Sequence, residues 1–248
     1  MASHLKIQTP DGSFEGYIVR PTVLPAAAVV VLHEVFGVND DIRTVCNELA
    51  QQGFVALAPD MFWRLEPNVD LSVRSEADWQ HGLRLYEAYD RKNGAKDVKD
   101  AAMAVSGLPD CSGKVALLGY CLGGLMAFLT AARYGADAVV AYHGGDTEKY
   151  LNEVGNLDAP LVMHLAEEDE FISKDAQAAI KATFADNPNA VIYSYPGQNH
   201  AFARHNGAHY NAAAAELANG RTNEFLKRIL RQETGPQSCS DRQGIADS

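Results

Sequence analysis

One cysteine in this chain occupies a position where a reactive nucleophile could be held. Cys121 lies in the segment 119–124, whose sequence is GYCLGG. The mostly apolar residues 114–118 before it predict a buried strand, and residues 125–133 after it have the pattern of a helix. A sharp strand-to-helix turn flanked by glycines is typical of a nucleophile elbow, here with cysteine in place of serine. The following helix would direct backbone N–H groups toward the sulfur and favour its thiolate form.

Two further residues complete a catalytic set when the ends of the predicted strands are compared. Asp169 follows the predicted strand 161–165, and His200 follows the predicted strand 191–195. Nucleophile, acid and then histidine is the chain order of an α/β-hydrolase triad, so we assign Cys121, Asp169 and His200 to it. A thiol needs a base to remove its proton, and a carboxylate fixes the orientation of that base.

Each member of this set has an alternative. Glu167, Glu168 and Glu170 are candidates for the acid role, although the short carboxylate of Asp169 matches the usual choice. Cys121 could be a structural cysteine of the core, which is what we expect of Cys46 in its helical pattern. His200 could be a loop histidine that is bonded to nearby backbone.

Two backbone N–H groups are predicted to stabilise the oxyanion that such a nucleophile generates. One belongs to Leu122, which directly follows the cysteine. The other is expected in the loop after the predicted strand 27–32, where Val35 is our assignment.

The elements that must position these residues alternate between strands and helices. An antiparallel hairpin is predicted at the N-terminus, from the alternating segments 5–8 and 14–19. Further short apolar strands alternate with helical patterns, which predicts a mostly parallel, doubly wound sheet of the α/β-hydrolase fold. The predicted helices cover residues 40–52, 76–91, 96–106, 175–185 and 210–230, and residues 61–74 are expected to form a loop.

Composition limits the classes of protein that the chain can represent. Its 248 residues contain no linker or repeat, so we expect one domain over residues 1–231 and a polar, disordered tail over residues 232–248, which includes Cys239. The formal net charge of -11 with scattered basic residues argues against nucleic acid or anionic membrane as a partner. Four cysteines without a C-x-x-C motif and no signal-peptide pattern favour the cytoplasm. The oligomeric state is open, with a monomer favoured.

A metal site is a weaker interpretation of the histidines near the C-terminus. His200, His205 and His209 are spaced so that they could converge on an ion, but no cysteine or carboxylate motif accompanies them. Residues 33–37 also lack the H-E-x-x-H pattern. We therefore predict no metal.

On these motifs the chain resembles the dienelactone hydrolase (carboxymethylenebutenolidase) family over nearly all of residues 5–230. The matching segments are EVFGVN at 34–39, the Pro-Asp pair at 59–60, the cysteine motif, Asp169 and HAFAR at 200–204. The resemblance implies a single-domain fold, a Cys-Asp-His triad, no cofactor, and hydrolysis of lactones and esters. The name reaction opens dienelactone to maleylacetate during degradation of chloroaromatic compounds.

The same resemblance assigns further residues. It implies that Glu34 lies beside the nucleophile and takes part in its activation. It also implies two arginines for a substrate carboxylate, of which only Arg204 is matched, since Trp79 stands at the other position and Leu83 replaces a tyrosine one turn later. Tyr142, at the end of a predicted strand, is also expected to contact substrate. Because the second arginine is missing, dienelactone itself is a less favoured substrate, whereas hydrolase chemistry in general is still expected.

The sequence thus predicts a cysteine hydrolase of small lactones or esters. The alternatives are a broader carboxylesterase with an apolar acyl or aryl pocket, and a non-catalytic binding module on the same scaffold. A cysteine redox sensor is a further alternative, but it lacks a resolving cysteine nearby in the sequence.

Overall fold

The computed structural model describes residues 2–230, so the predicted tail with Cys239 lies outside the described residues. The chain begins with the predicted antiparallel hairpin, formed by β1 (Ala2–Thr9) and β2 (Gly12–Val19). Its register pairs Ile7 with Phe14, and both side chains enter the core. The hairpin is therefore fixed by the apolar face that its alternating sequence provides.

Eight strands form one sheet in the order β1-β2-β4-β3-β5-β6-β7-β8. Strands β3 to β8 pair in parallel, whereas β2 pairs antiparallel with β4. The carboxyl ends of the parallel strands consequently meet at one edge, where ligands bind in such sheets. The remaining strands are β3 (Ala26–Leu32), β4 (Val55–Pro59), β5 (Cys111–Tyr120), β6 (Ala138–Tyr142), β7 (Leu161–Ala166) and β8 (Ala190–Tyr195).

Helices cover both faces of the sheet, which explains why its central strands are apolar without alternation. One apolar layer lies between the sheet and α2 to α5, and the other lies between the sheet and α1 and α6. Cys46 of α1 is fully buried in the second layer, as predicted. The helices are α1 (Asp40–Gln51), α2 (Glu76–Ala88), α3 (Arg91–Ser106), α4 (Leu122–Tyr134), α5 (Lys174–Phe184) and α6 (Ala212–Leu230). Among the described residues, none of these helices is both long and apolar enough to cross a membrane.

Three elements differ from the sequence-based prediction. The helix predicted at 76–91 ends at Ala88, because Tyr89 adopts an extended conformation and the Asp90 carboxylate caps the next helix by accepting from the N–H groups of Lys92 and Asn93. Helix α3 therefore begins at Arg91, five residues before the predicted start. A 3₁₀ segment, Thr147–Asn156, was not predicted.

Candidate active site

Cys121 occupies a strained turn between β5 and α4. Its backbone has φ 51° and ψ -115°, a conformation that a non-glycine residue adopts only when its surroundings enforce it. The Cys121 N–H donates to the Tyr142 carbonyl at 3.0 Å, and the Cys121 carbonyl accepts from the Leu125 N–H at 3.1 Å. The turn thus presents a half-buried thiol at the N-terminal end of α4.

Glycines make this turn possible because the backbone segments around it are in close contact. A Cβ atom added to Gly119 would lie 1.9 Å from the Gly123 carbonyl oxygen. One added to Gly123 would lie 2.1 Å from the Leu32 carbonyl oxygen, at the end of β3. Both distances are far below van der Waals contact, so only glycine fits at either position.

His200 is held by Asp169 in the orientation that a base requires. His200 Nδ1 lies 3.0 and 2.8 Å from the two carboxylate oxygens of Asp169. Asp169 Oδ1 also accepts from the N–H groups of Phe171 and Ile172, at 2.8 and 3.1 Å. Both side chains are buried. With Nδ1 donating to Asp169, Nε2 is the ring nitrogen directed away from the acid.

The neighbouring glutamates make other contacts. Glu168 pairs with Lys174 at 3.0 Å near the surface, and Glu170 Oε2 accepts from the His200 backbone N–H at 3.2 Å. Glu167 is engaged through its carbonyl, which accepts from Lys174 and Gln177. Among the four acids considered, Asp169 is the one whose carboxylate contacts the imidazole.

The pKa of His200 reflects this environment. Burial alone would lower it, but attraction to a Cys121 thiolate and the hydrogen bond with Asp169 outweigh burial and raise the His200 pKa to about 10. The imidazole can therefore readily hold a proton that it takes from a reacting group.

Glu34 and Arg204 form a largely buried ion pair beside the cysteine. Arg204 Nε donates to Glu34 Oε2 at 2.6 Å, and the guanidinium lies 5.0 Å from the centre of the Phe36 ring. Burial would lower the Arg204 pKa, but attraction to Glu34 raises it, so the arginine stays charged. Arg204 is thus not a free cation in the resting site.

His33 fixes the loop that carries Glu34, a role that the sequence did not reveal. Its Nδ1 donates to the Glu34 carbonyl at 2.7 Å, and its Nε2 accepts from the Met61 N–H at 3.0 Å. Burial lowers the His33 pKa to about 4, so the ring is neutral with both nitrogens paired. The sequence feature that could have indicated this role is the position of His33 directly after a predicted buried strand.

The two residues predicted to supply the oxyanion donors lie next to the cysteine in the chain and in the cavity wall. Leu122 is the first residue of α4, and N–H groups of the first turn have no acceptor within their own helix. Val35 lines the cavity that contains Cys121. Gly82 of α2 packs on this loop so tightly that an added Cβ would lie 2.6 Å from the Val35 carbonyl oxygen.

A cavity of about 170 Å³ opens onto the cysteine, and its wall is largely apolar. Trp79 packs between Phe36 and Phe171, with ring centres 5.3 and 6.0 Å apart, and Leu83 lies beside it in the wall. Phe171 also packs edge-on against the His200 ring at 4.9 Å. The residues that line the cavity are Glu34, Val35, Trp79, Leu83, Tyr86, Cys121, Gly145, Asp146, Phe171, His200 and Arg204.

Tyr142 corrects one expectation, because its side chain does not line this cavity. It is fully buried in the layer under α6, where its hydroxyl lies 2.9 Å from Asn219 Oδ1 and 2.8 Å from Thr222 Oγ1. Successive strand residues point to opposite faces of a sheet, and Tyr142 points away from the site. Only its carbonyl serves the elbow, through the bond from Cys121.

Tyr86 and Asp146 are among the lining residues that the sequence analysis did not assign to the site. The Tyr86 hydroxyl donates to Asp146 Oδ2 at 2.6 Å, and Arg91 contacts the same oxygen at 3.2 Å. Asp146 has a left-handed backbone, φ 67°, at the start of the 3₁₀ segment. Because that segment was not predicted, no sequence signal placed Asp146 here.

The histidines considered as metal ligands do not converge. His205 pairs with Glu48 at 3.1 Å, and His209 Nδ1 donates to the His200 carbonyl at 3.1 Å. Within residues 2–230, His200 instead shares a group of close ligand atoms with Glu34 and His143. The ring of His143 packs 4.3 Å from that of His200, and burial lowers the His143 pKa well below its usual value.

The parallel sheet and the cysteine elbow at its carboxyl edge define an α/β-hydrolase. The sequence model of the dienelactone hydrolase family matches residues 14–230, and the chain belongs to that family.

Relatives of known name are similar over nearly the whole chain. A carboxymethylenebutenolidase of Pseudomonas putida is 35% identical over 223 residues, covering 90% of this chain and 94% of its own. Carboxymethylenebutenolidase 1 of Cupriavidus pinatubonensis is 34% identical over 218 residues, covering 88% and 93%. A solved dienelactone hydrolase-like promiscuous phosphotriesterase from metagenomic libraries shares the fold with a TM-score of 0.79 at 22% identity, covering 92% and 98%.

Proposed function

We propose that the chain hydrolyses small lactones or esters by acyl transfer to Cys121, with His200 as base and Asp169 as its orienting acid. The observation that carries this proposal is the strained thiol at the start of α4 beside an imidazole whose other nitrogen is held by a buried carboxylate. Membership of a family of lactone hydrolases supports the same chemistry.

The first half-reaction forms a thioester. His200 Nε2 takes the thiol proton while the sulfur attacks the substrate carbonyl carbon, and the Leu122 and Val35 N–H groups stabilise the resulting oxyanion. Collapse breaks the carbon–oxygen bond of the ester, and His200 returns the proton to the leaving alkoxide. From a lactone, the alcohol stays attached to the acyl group.

The second half-reaction restores the enzyme. His200 removes a proton from water, and the hydroxyl attacks the thioester carbon through the same oxyanion geometry. Collapse expels the sulfur, which recovers its proton from His200, and releases a carboxylic acid. The protons taken and returned balance over the cycle.

Glu34 is proposed to assist activation of the thiol. Its Oε2 is paired with Arg204, and within the described chain its Oε1 has no hydrogen-bond partner. A buried carboxylate near the sulfur disfavours the thiolate by like-charge repulsion, and it can take the thiol proton in place of His200. This would keep the resting thiol less prone to oxidation.

The cavity wall favours substrates with an apolar or aromatic portion. Trp79, Leu83 and Phe171 supply apolar surface, and Arg204 is the cation among the lining residues. A second candidate function, a broader carboxylesterase, is favoured by this wall. We infer that neutral aryl esters are better substrates than a lactone that carries a free carboxylate.

A panel of lactones and aryl esters, with and without a free carboxylate, tests the proposal. Cys121→Ala should abolish turnover of every substrate, whereas Cys111→Ser, which alters a half-buried thiol remote from the cavity, should keep it. Turnover retained in Cys121→Ala would overturn the nucleophile assignment. Wild-type protein that turns over none of the panel would favour a binding module instead.

A further inference from the structure

Three buried side chains with groups that could bind a metal lie close together beside the cysteine. Within residues 2–230, Glu34 Oε1, His143 Nδ1 and His200 Nε2 have no hydrogen-bond partner. Their residues are 6%, 1% and 4% exposed, and each offers a ligand atom within 4.8 Å of the other two. Buried polar atoms are rarely left unpaired because their desolvation without a hydrogen bond is unfavourable. Three together indicate a shared ligand.

Two of the three side chains are held by a second contact that leaves another polar atom available, and the backbone of the third is fixed. Asp169 accepts from His200 Nδ1, and a carboxylate that orients a histidine in this way is characteristic of histidines that bind metal through the other nitrogen. Arg204 holds the other oxygen of Glu34. The His143 backbone is fixed by its N–H, which donates to the His164 carbonyl at 2.8 Å, and has a left-handed φ of 36°.

We propose that Glu34, His143 and His200 form a binding site for Zn²⁺. Two imidazoles and one carboxylate are a ligand set that zinc accepts, whereas magnesium and calcium prefer sites made of oxygen alone. Zinc ligands at 2.0–2.1 Å in a tetrahedral arrangement lie about 3.4 Å apart, so the present cluster needs to contract by about 1.4 Å at most.

Charge and access are compatible with a cation at this place. The carboxylates of Glu34 and Asp169 outnumber the Arg204 guanidinium that pairs with Glu34. Glu34 and His200 line the cavity, so an ion can arrive from solvent, and the His143 ring lies 4.3 Å from the His200 ring. Three protein ligands leave a fourth position, which the nearby Cys121 thiolate or a water can take.

Zinc binding would compete with hydrolysis. An ion on His200 Nε2 occupies the lone pair that takes the thiol proton, a consequence that rests on the proposed function. Zinc should therefore inhibit reversibly, with full recovery on chelation. The binding site itself does not depend on the activity and is measured separately.

The direct test is titration of metal-free protein with Zn²⁺ by isothermal calorimetry. We expect one ion per chain. In both His143→Phe and Glu34→Gln, the affinity for zinc should be weaker than in the wild type by roughly 10-fold or more, since each removes a ligand. His81→Asn is the matched control, because it removes a histidine that pairs with Glu66 at 2.8 Å outside the cluster, and it should bind zinc like the wild type. His143→Asn provides a second variant, because asparagine tolerates a left-handed backbone.

The outcomes separate the two proposals. No zinc binding by folded wild-type protein, or an affinity unchanged in both His143 variants, would overturn the site while leaving the hydrolase intact. If neither His143 variant folds, Co²⁺ titration of the wild type decides: a tetrahedral absorption spectrum supports the site, and an octahedral one contradicts it. If the variants lose zinc binding and the wild-type protein hydrolyses no ester, the result would support the zinc site and contradict the proposed function.

Discussion

At the scale of single residues, Asp169 is set apart from three nearby glutamates by its backbone partners. The N–H groups of Phe171 and Ile172 hold one carboxylate oxygen while both oxygens face His200. A longer side chain at the same place could not accept these two short-range bonds and reach the imidazole in the same geometry. The acid therefore combines orientation of His200 with closure of its own loop.

Replacing this acid should slow catalysis without large effects on substrate affinity. Asp169→Asn should lower kcat by roughly 10³–10⁴-fold, because the amide favours the wrong imidazole tautomer. His200→Ala should cost at least as much, and the double variant little more than the worse single one, since the residues act as a unit. Steady-state kinetics measure this, with Glu168→Gln, at the exposed Lys174 pair, as the control. Losses that multiply in the double variant would point to another acid.

Trp79 should set the preference for neutral substrates. Trp79→Arg places a cation in the apolar wall near Arg204, and a charge-assisted contact is worth about 1.5–3 kcal/mol. The ratio of kcat/KM for carboxylate-bearing lactones to that for neutral aryl esters should rise by roughly one to two powers of ten. Gln80→Arg adds the same charge at the exposed neighbouring position and should leave the ratio unchanged. An unchanged ratio in Trp79→Arg would contradict the assignment of this wall.

At the scale of elements, the site depends on how closely α4 approaches the end of β3. Gly123→Ala should lower the free energy of unfolding by about 1–3 kcal/mol, because its Cβ would meet the Leu32 carbonyl oxygen. Gly220→Ala in α6 is the matched helical control, with no atom within 4 Å of the added Cβ. It should raise stability by about 0.4–1 kcal/mol. Chemical denaturation compares the two, and equal effects would mean that close packing at the elbow is unimportant.

The alternation of strands and helices could be predicted because the central strands are buried on both faces and the intervening helices have one apolar side. The break at Tyr89 and Asp90 could not, since a cap in the middle of a helical pattern leaves the periodicity intact. At the site, strand ends located Glu34, Cys121, Asp169 and His200. They could not show which face of β6 carries Tyr142, because that depends on register, nor that His143 would pack against His200, because a left-handed turn redirects it.

At the scale of the whole molecule, a buried polar network joins the sheet to α6. His164 Nδ1 lies 2.8 Å from the Tyr195 hydroxyl, and His164 Nε2 lies 3.0 Å from Thr222 Oγ1. Arg221 also contacts the Tyr195 hydroxyl at 3.1 Å. Burial lowers the His164 pKa to about 3, so both ring nitrogens are paired in the neutral form.

This histidine should make stability fall with acidification. The unfolded chain binds a proton at His164 below its usual pKa near 6.5, whereas the folded protein does not until about pH 3. Protonation of His164 therefore leaves the free energy of unfolding unchanged above pH 6.5. Below that pH, it lowers the free energy of unfolding by about 1.4 kcal/mol per pH unit. Urea unfolding between pH 7 and 4 measures this slope. In His164→Gln, the dependence of the free energy of unfolding on pH should decrease by the equivalent of one bound proton. A dependence identical to that of the wild type would contradict the buried neutral state.

Covalent capture of the acyl-enzyme tests the central claim most directly. Wild-type protein mixed with an activated aryl ester, quenched in acid during turnover and digested, should carry the acyl mass on the peptide that contains Cys121. The mass should be lost on treatment with hydroxylamine, as for a thioester, and be absent in Cys121→Ala. Acylation of a different residue during turnover, or turnover by Cys121→Ala at the wild-type rate, would contradict the account.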